Sequence, residues 1–405
     1  MLNKEKTGKG GRTVLEQAVR YFTQESRSLS CMSIACGTEN SVLRAMGGEI
    51  DLFGRPVRED SIFDLASLSK LFTGLTAMRL RAAGKLDFDA PVTHYAPQFK
   101  NLNCVTVAQT LGFEVALHTL ERIDAQPDAK SAETVLFACT PHPNGENRAY
   151  SDIHAMVARY ILEGASGSSL MECVRQEILV PLGMTETWCS VPQSFRERCV
   201  SCDREHRIEG NRWTVREGIL PGTCHDPKAR AMSPDGRDFC GHAGLFATAG
   251  DMIRLCQGIL REDILSIEDL AEMARNRTGF RKKDGGWTQH LGLLCYVKHP
   301  VQYHSEVPVY MGDKALALSG FAGNHLAIDP ERGIFEFYLG SRVLNRLTVL
   351  VPEEGKSLAD YGLAPDGTGC VDWPGEGKVI SSVDFVHLKD RHYHTAVAEA
   401  LGLDA

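Results

Sequence analysis

The chain has 405 residues, 43% of them hydrophobic and 24% charged. That is ordinary globular composition, and a core of this size needs neither a disulfide nor a metal staple. A formal net charge of −8, spread without long runs of one sign, argues against nucleic acid or an anionic membrane as the main partner. No run of about eighteen apolar residues exists, so no membrane-spanning helix is expected.

Met1 to Arg12 is polar and basic, with Lys4, Lys6 and Lys9, and no apolar segment follows it. It does not read as a secretory signal, and a cytoplasmic location is expected. Thr13 to Glu25 has helical spacing, with Val14, Leu15, Ala18, Val19 and Phe22 near one face. Cys31 to Cys36 and Ser41 to Met46 read as strands joined by a turn at Gly37 to Asn40. Ser67 to Ala83 is the next helix, carrying Leu71, Leu75, Met78 and Leu80 and stopping at Gly84.

From about Val105 to Leu265 the pattern is mostly helical, clearest in Asp152 to Leu162 and Ser168 to Leu179. Val191 to Gly244 is long and irregular, which usually marks a functional or heavily packed segment. Strand signals return at Leu291 to Val297, Leu316 to Ser319, Asn324 to Ile328 and Ile334 to Gly340. Asp329 to Gly333 makes a hairpin connection between the last two. Phe385 to Leu401 is a final helix.

The thirteen cysteines form no framework, and an odd count cannot pair fully within one chain. They read as reduced thiols in core gaps. Cys199 and Cys202 make one Cys-x-x-Cys, but no second pair follows at zinc-finger spacing.

Strands at both ends and helices between them give an α+β class. One antiparallel sheet is expected from residues 13–85 and 286–405, flanked by the terminal helices. A mostly helical block, 86–285, is inserted, and the cleft between the two is the default place for a site.

Ser67-Leu68-Ser69-Lys70 is the chain's one Ser-x-x-Lys. It opens a helix after the lead-in Ile62-Phe63-Asp64-Leu65-Ala66. Three residues apart, Ser67 and Lys70 share a helix face, and the free amides of the first turn point toward the serine. A serine hydroxyl needs a base to take its proton. Lysine can serve only if its ammonium is destabilised by burial or a second cation. Tyr150-Ser151-Asp152 stands at another helix start and offers a phenol as a proton relay. On their own these residues read more readily as helix caps beside solvated side chains.

The set resembles the serine β-lactamase and penicillin-binding-protein superfamily, and its class C branch in particular. The lead-in Phe63 to Lys70 is similar to the family's. So are Ala149 to Asp152 with Leu179-Val180-Pro181-Leu182-Gly183-Met184, Gly241 to Ala249, and Gly320 to Gly323 with Ile328 to Glu331. The resemblance covers roughly Ile34 to Arg346. It implies a β-lactamase/transpeptidase-like fold and an acyl-enzyme serine hydrolase of small esters, amides or D-amino-acid peptides. It also implies Ser67 as nucleophile, Lys70 as its partner and Tyr150 as base or relay. The amides of Ser67 and Phe321 fall on the oxyanion hole, and Asp152, Leu318, Ser319 and Gly320 on the substrate-binding positions. A small-molecule substrate is the expected partner, with no metal or cofactor.

The sequence departs from the pattern in three places. The third motif should begin with a Lys or His, but reads Leu318-Ser319-Gly320, and Lys314 is too far along a strand to replace it. Asp152 stands where the class has asparagine and adds negative charge, so carboxylate-bearing substrates are expected to bind weakly. The stretch Gln109 to Ile123, with His118 and Arg122, reads as a remodelled cleft wall. His225-Asp226 and His242 read as cleft-lining or turn-bonded, and His142 and His154 flank the tyrosine motif. The alternative function is a catalytically impaired binding or sensing protein, motivated by Leu318.

Overall fold

A computed structural model describes residues 9–143, 149–302 and 305–403. At its centre is a six-stranded sheet, ordered Tyr296–Val297, Leu316–Gly320, Asn324–Asp329, Ile334–Gly340, Cys31–Gly37 and Val42–Gly48. Every neighbouring pair is antiparallel. The two ends of the chain thus interleave, as the flanking strand patterns require.

Alternation along each strand divides the sheet's side chains between two cores. Ile34, Cys36, Ala317, Ala327 and Tyr338 face the terminal helices, where they meet Leu15, Val19, Phe22 and Val397. Cys31, Ala35, Leu316, Leu318, Leu326, Phe335 and Phe337 face the other way, into a core with Leu71, Phe72 and Leu75 of the helix Ser69–Ala82. That helix is buried on nearly all sides, which is why its apolar residues do not form one clean stripe.

The segment 86–285 includes the helix Asp152–Ser166, capped by Ser151 at its start and ended by Gly167 at φ +72°. It is not helical throughout. Within the segment read as irregular, Glu205–Glu209 and Arg212–Arg216 form a hairpin. The hairpin joins Arg346–Val351, Cys370–Trp373 and Gly377–Ser381 in a second, five-stranded sheet with two parallel pairings. Glu205, Arg207, Glu209, Arg212 and Arg216 hide the strands' alternation: Arg212–Arg216 is the sheet's edge, where charged side chains are common, and on its inner neighbour Arg207 pairs with Glu205 and Glu209. The strand expected at Leu291 to Val297 shrinks to Tyr296–Val297. Leu294 there takes φ +54°, a turn no strand accommodates. The last helix contains a π-helical turn, Lys389–His394. All thirteen cysteines are free, and Cys199 and Cys202 sit in separate apolar clusters. No helix among the described residues is long and apolar enough to cross a membrane.

Candidate active site

The turn that presents Ser67 is strained and braced. The chain leaves the short strand Ile62–Asp64, and a 3₁₀ turn, Ala66–Leu68, leads into the helix Ser69–Ala82. Ala66 takes φ +46°, a left-handed conformation that costs a non-glycine residue about 1–3 kcal/mol. Asp64 holds it there. Its Oδ1 accepts from the Ala66 N–H at 2.8 Å and its Oδ2 from the His225 N–H at 2.7 Å. Asn324 Nδ2 donates to the Asp64 carbonyl at 2.8 Å. Burial keeps the Asp64 carboxyl above its ordinary pKa despite those donors. The strand Leu316–Gly320 presses against the same turn, since a Cβ on Gly320 would lie 2.6 Å from the Leu65 carbonyl oxygen.

Lys70 lies one helical turn from Ser67 and is fully buried. Its Nζ donates to Ser67 Oγ at 2.8 Å, to Asp152 Oδ1 at 2.7 Å and to the His242 carbonyl at 3.2 Å. The Tyr150 ring centroid is 5.0 Å from Nζ, and the phenol shares in holding the ammonium. Burial pulls the Lys70 pKa down, but Asp152 and Tyr150 outweigh it and the balance raises it above 10.5. This differs from the expected destabilised ammonium. The reason is Asp152, which the sequence could not place beside the lysine 82 residues away. At neutral pH Lys70 is therefore a cation that donates to the serine.

Tyr150 stacks between Phe113 and Tyr296, with ring centroids at 5.5 and 5.1 Å, and borders the cleft. Asp152 follows at the first turn of its helix and lies between two lysines. Lys228 Nζ reaches its Oδ2 at 2.9 Å, opposite Lys70 on Oδ1. Burial opposes ionisation of Asp152, but Lys70, His242 and Lys228 hold its carboxyl well below 3.8. Its negative charge is thus neutralised twice over and does not stand open to a substrate, as the sequence alone implied.

Lys228 is the residue sequence reading missed. It sits on the short helix Pro227–Met232, capped by Asp226, whose Oδ1 accepts from the Ala229 N–H at 2.9 Å. Asp followed by Pro at a first helical position is a legible start signal. It lay in a segment read as irregular. Burial lowers the Lys228 pKa, and Asp152 and Asp226 more than restore it. His242, buried behind, donates from Nε2 to Asp226 Oδ1 at 2.9 Å.

These groups open on a cleft of about 770 Å³, bordered by Ser67, Tyr150, Asp152, Lys228, Ser319, Gly320 and Phe321. Residues 119–124 form the opposite wall, including Arg122 but not His118. The backbone N–H groups of Ser67 and Phe321 donate to no protein acceptor among the described residues. His225 also borders the cleft and stacks on Phe321 at 5.8 Å.

Other sequence candidates lie elsewhere. Leu318 is fully buried and does not border the cleft; strand alternation turns it into the core with Leu316 and Leu326. His154 is buried, with Nε2 at 2.8 Å from the Val115 carbonyl, and burial drops its pKa to about 4. His142 is exposed and packs edge-on against His118. Glu306 and Lys389, which no sequence signal marked, border the cleft beside Ser319. Ser319 Oγ donates to Glu306 Oε2 at 2.6 Å, and Lys389 Nζ reaches the same oxygen at 2.5 Å. Burial raises the Glu306 pKa, but Lys389 and its neighbours bring it down to about 2.

The chain is similar to known proteins in sequence and in fold. The chain is 27% identical over 311 residues to Esterase EstB of Burkholderia gladioli, covering 68% of this chain and 76% of that protein. It is 27% identical over 237 residues to a putative D-alanyl-D-alanine carboxypeptidase of Escherichia coli, covering 52% of this chain and 53% of that protein. The chain thus spans about half the length of that relative, and the same holds for an N-acetylmuramyl-L-alanine amidase of Bacillus subtilis. Among solved structures, a penicillin-binding-protein homologue from Caulobacter crescentus superposes with a TM-score of 0.63 at 20% identity, over 82% of this chain and 91% of that one. A class C β-lactamase superposes with a TM-score of 0.61 at 16% identity, over 82% and 91%. Both share this α+β fold. The β-lactamase family model matches residues 13–348, most of the chain, and the chain belongs to that family.

Proposed function

We propose that the protein is a serine hydrolase that forms an acyl-enzyme on Ser67 and acts on small esters, amides or D-amino-acid peptides. The observation that carries this reading is the Ser67 Oγ at 2.8 Å from the buried Lys70 ammonium, at a helix start that opens on the cleft.

Ser67 attacks a carbonyl, and its proton passes to Tyr150 acting as a phenolate. Lys70 is charged and already donates to the hydroxyl, so it orients the serine and stabilises the anion that forms, rather than taking the proton at rest. The carbonyl oxygen, becoming an oxyanion, sits on the Ser67 and Phe321 amides, whose donors are free for it. Tyr150 returns the proton to the leaving group, and water then releases the acyl chain by the same steps reversed. A cleft of about 770 Å³ suits a small molecule. The names of the relatives, an esterase, a carboxypeptidase and an amidase, span the same chemistry.

The reading is tested by an acylating probe, a fluorophosphonate or a penicillin, followed by peptide mass spectrometry. We expect one adduct on the peptide bearing Ser67, loss of label in Ser67→Ala, and loss of p-nitrophenyl ester turnover in the same variant. No label on Ser67 and no turnover in wild type, which would then be indistinguishable from Ser67→Ala, would leave only a binding or sensing role.

A further inference from the structure

On the sheet face turned toward the terminal helices, strand alternation places His325 and Glu336 side by side in an otherwise apolar layer with Ala317, Ala327 and Tyr338. The π-helical turn Lys389–His394 lies over them and adds His394. Such turns are rare and gather at functional positions. His325 and Glu336 are fully buried and His394 nearly so.

Glu336 Oε1 lies 2.7 Å from His394 Nδ1 and 3.5 Å from His325 Nε2. All three atoms fall within 4.8 Å of one another. Yet none of them makes a hydrogen bond, although each is buried from water. A histidine–carboxylate ion pair would satisfy one ring nitrogen along its in-plane direction and leave the other orphaned. Neither ring is so aligned. Orphaned buried polar atoms call for an occupant.

The outward atoms of Glu336 and His325 are hydrogen-bonded instead, while that of His394 has only a carboxylate neighbour and no hydrogen bond. The Tyr310 hydroxyl donates to Glu336 Oε2. His325 Nδ1 lies 3.0 Å from Ser319 Oγ, and His394 Nε2 faces Asp390 Oδ1 at 3.5 Å. Partners on the far atom of each ligand are the usual second support of a metal centre.

We propose that His325 Nε2, Glu336 Oε1 and His394 Nδ1 bind a divalent cation of the zinc class between the sheet and the C-terminal helix. Two imidazoles and one carboxylate suit such an ion, with water or protein oxygen completing the shell. Ligands about 2.0–2.2 Å from zinc stand roughly 3.3 Å apart in a tetrahedron. The His325 contact already has that spacing, and the His394 contact need open by only about half an ångström. The role is structural. The ion ties the C-terminal helix to the strands, and through His325 it steadies Ser319, which borders the cleft just before the Gly320-Phe321 turn. The proposal does not depend on the hydrolase reading, because its readout is metal content and stability.

The test is elemental analysis of the purified full chain, expressed with added zinc, then thermal melts after refolding with chelator or with ZnCl₂. We expect about one equivalent per chain, since folding and binding are coupled in buried sites, and a melting temperature that falls with chelator and recovers with zinc. Refolding with Co²⁺ should give visible absorption bands that His394→Gln abolishes. His394→Gln should hold less than about a tenth of an equivalent, while Cys199→Ser should keep all of it. If His394→Gln does not fold, the wild-type melts still decide. Wild-type protein without metal and indifferent to zinc would overturn the proposal. So would undiminished metal in His394→Gln.

Discussion

Two triads of similar make-up lie in this molecule, one partly buried at the cleft and one fully buried, and they are finished in opposite ways. Asp152, Asp226 and His242 bring two carboxylates and an imidazole within 4.8 Å beside the nucleophile; His325, Glu336 and His394 do the same with one carboxylate and two imidazoles across the sheet. In the first, the ammoniums of Lys70 and Lys228 reach the two oxygens of Asp152 at 2.7 and 2.9 Å, so the protein supplies its own cations. In the second, Lys389 turns away to Glu306 and the ligand atoms stay unsatisfied. Burying anionic and imidazole groups requires a positive charge among them. A lysine provides one that donates to a serine. A gap shaped by three lone pairs asks for one from outside.

The sharpest way to break this comparison is to remove the carboxylate shared by the two lysines. Asp152→Ala leaves Lys70 fully buried with no anion beside it, and loss of one partner of a buried pair costs about 3–5 kcal/mol. Lys70 should then lose its proton more readily, because burial, the largest influence on it, lowers its pKa and Asp152 no longer offsets that. We expect a large drop in melting temperature and at least about a hundredfold loss of ester turnover. Asp152→Asn, whose one carbonyl oxygen can still accept from one of the two lysines, should recover part of the stability. If both variants melt like wild type, the lysine is not held by this carboxylate.

How much of this was legible in the sequence follows from the range of each signal. The Ser67–Lys70 pair lies within one helical turn, and the helix start could be read directly. The alternating strands at 31–48 and 316–340 gave the central sheet and its α+β class. The neutralisation of Asp152 could not be read, because its two lysines stand 82 and 76 residues away. The second sheet was hidden because its hairpin at 205–216 is charged and pairs with Arg346–Val351, beyond any local pattern. The sheet-face triad was likewise invisible, since His325, Glu336 and His394 come from three elements and no spacing connects them. Strand alternation does explain Leu318 in retrospect. It follows Leu316 at a period of two, so both turn to the same core.

That placement supplies the next prediction, an intermediate effect. Leu318→Lys restores the charge the family's third motif has, but at a fully buried position outside the cleft wall. It should not raise affinity for carboxylate-bearing esters. It should lower stability by about 1–3 kcal/mol through overpacking alone, and by more if the ammonium stays charged. Improved KM for such substrates at unchanged melting temperature would show that residue 318 reaches the ligand.

The smallest effect separates charge from packing at Lys228. Its side chain is 31% exposed, so solvent screens the pair with Asp152 and Lys228→Met should cost only about 1 kcal/mol at neutral pH. The pH dependence carries the information. The Asp152 carboxyl is held well below 3.8 in the fold, with Lys228 one of the causes. A depressed acid contributes stability that is present above its unfolded pKa and is lost as pH falls through the folded value. In Lys228→Met the folded pKa moves up toward 3.8, so the acid loss begins at a higher pH and is smaller in total. The gap in melting temperature between the two proteins should therefore be widest from about pH 5 upward and close as pH drops below 3.8. A gap that stays constant from pH 7 to 3 would mean that Lys228 acts through its methylenes and that the triad of Asp152, Asp226 and His242, like the one across the sheet, holds less positive charge than its carboxylates require.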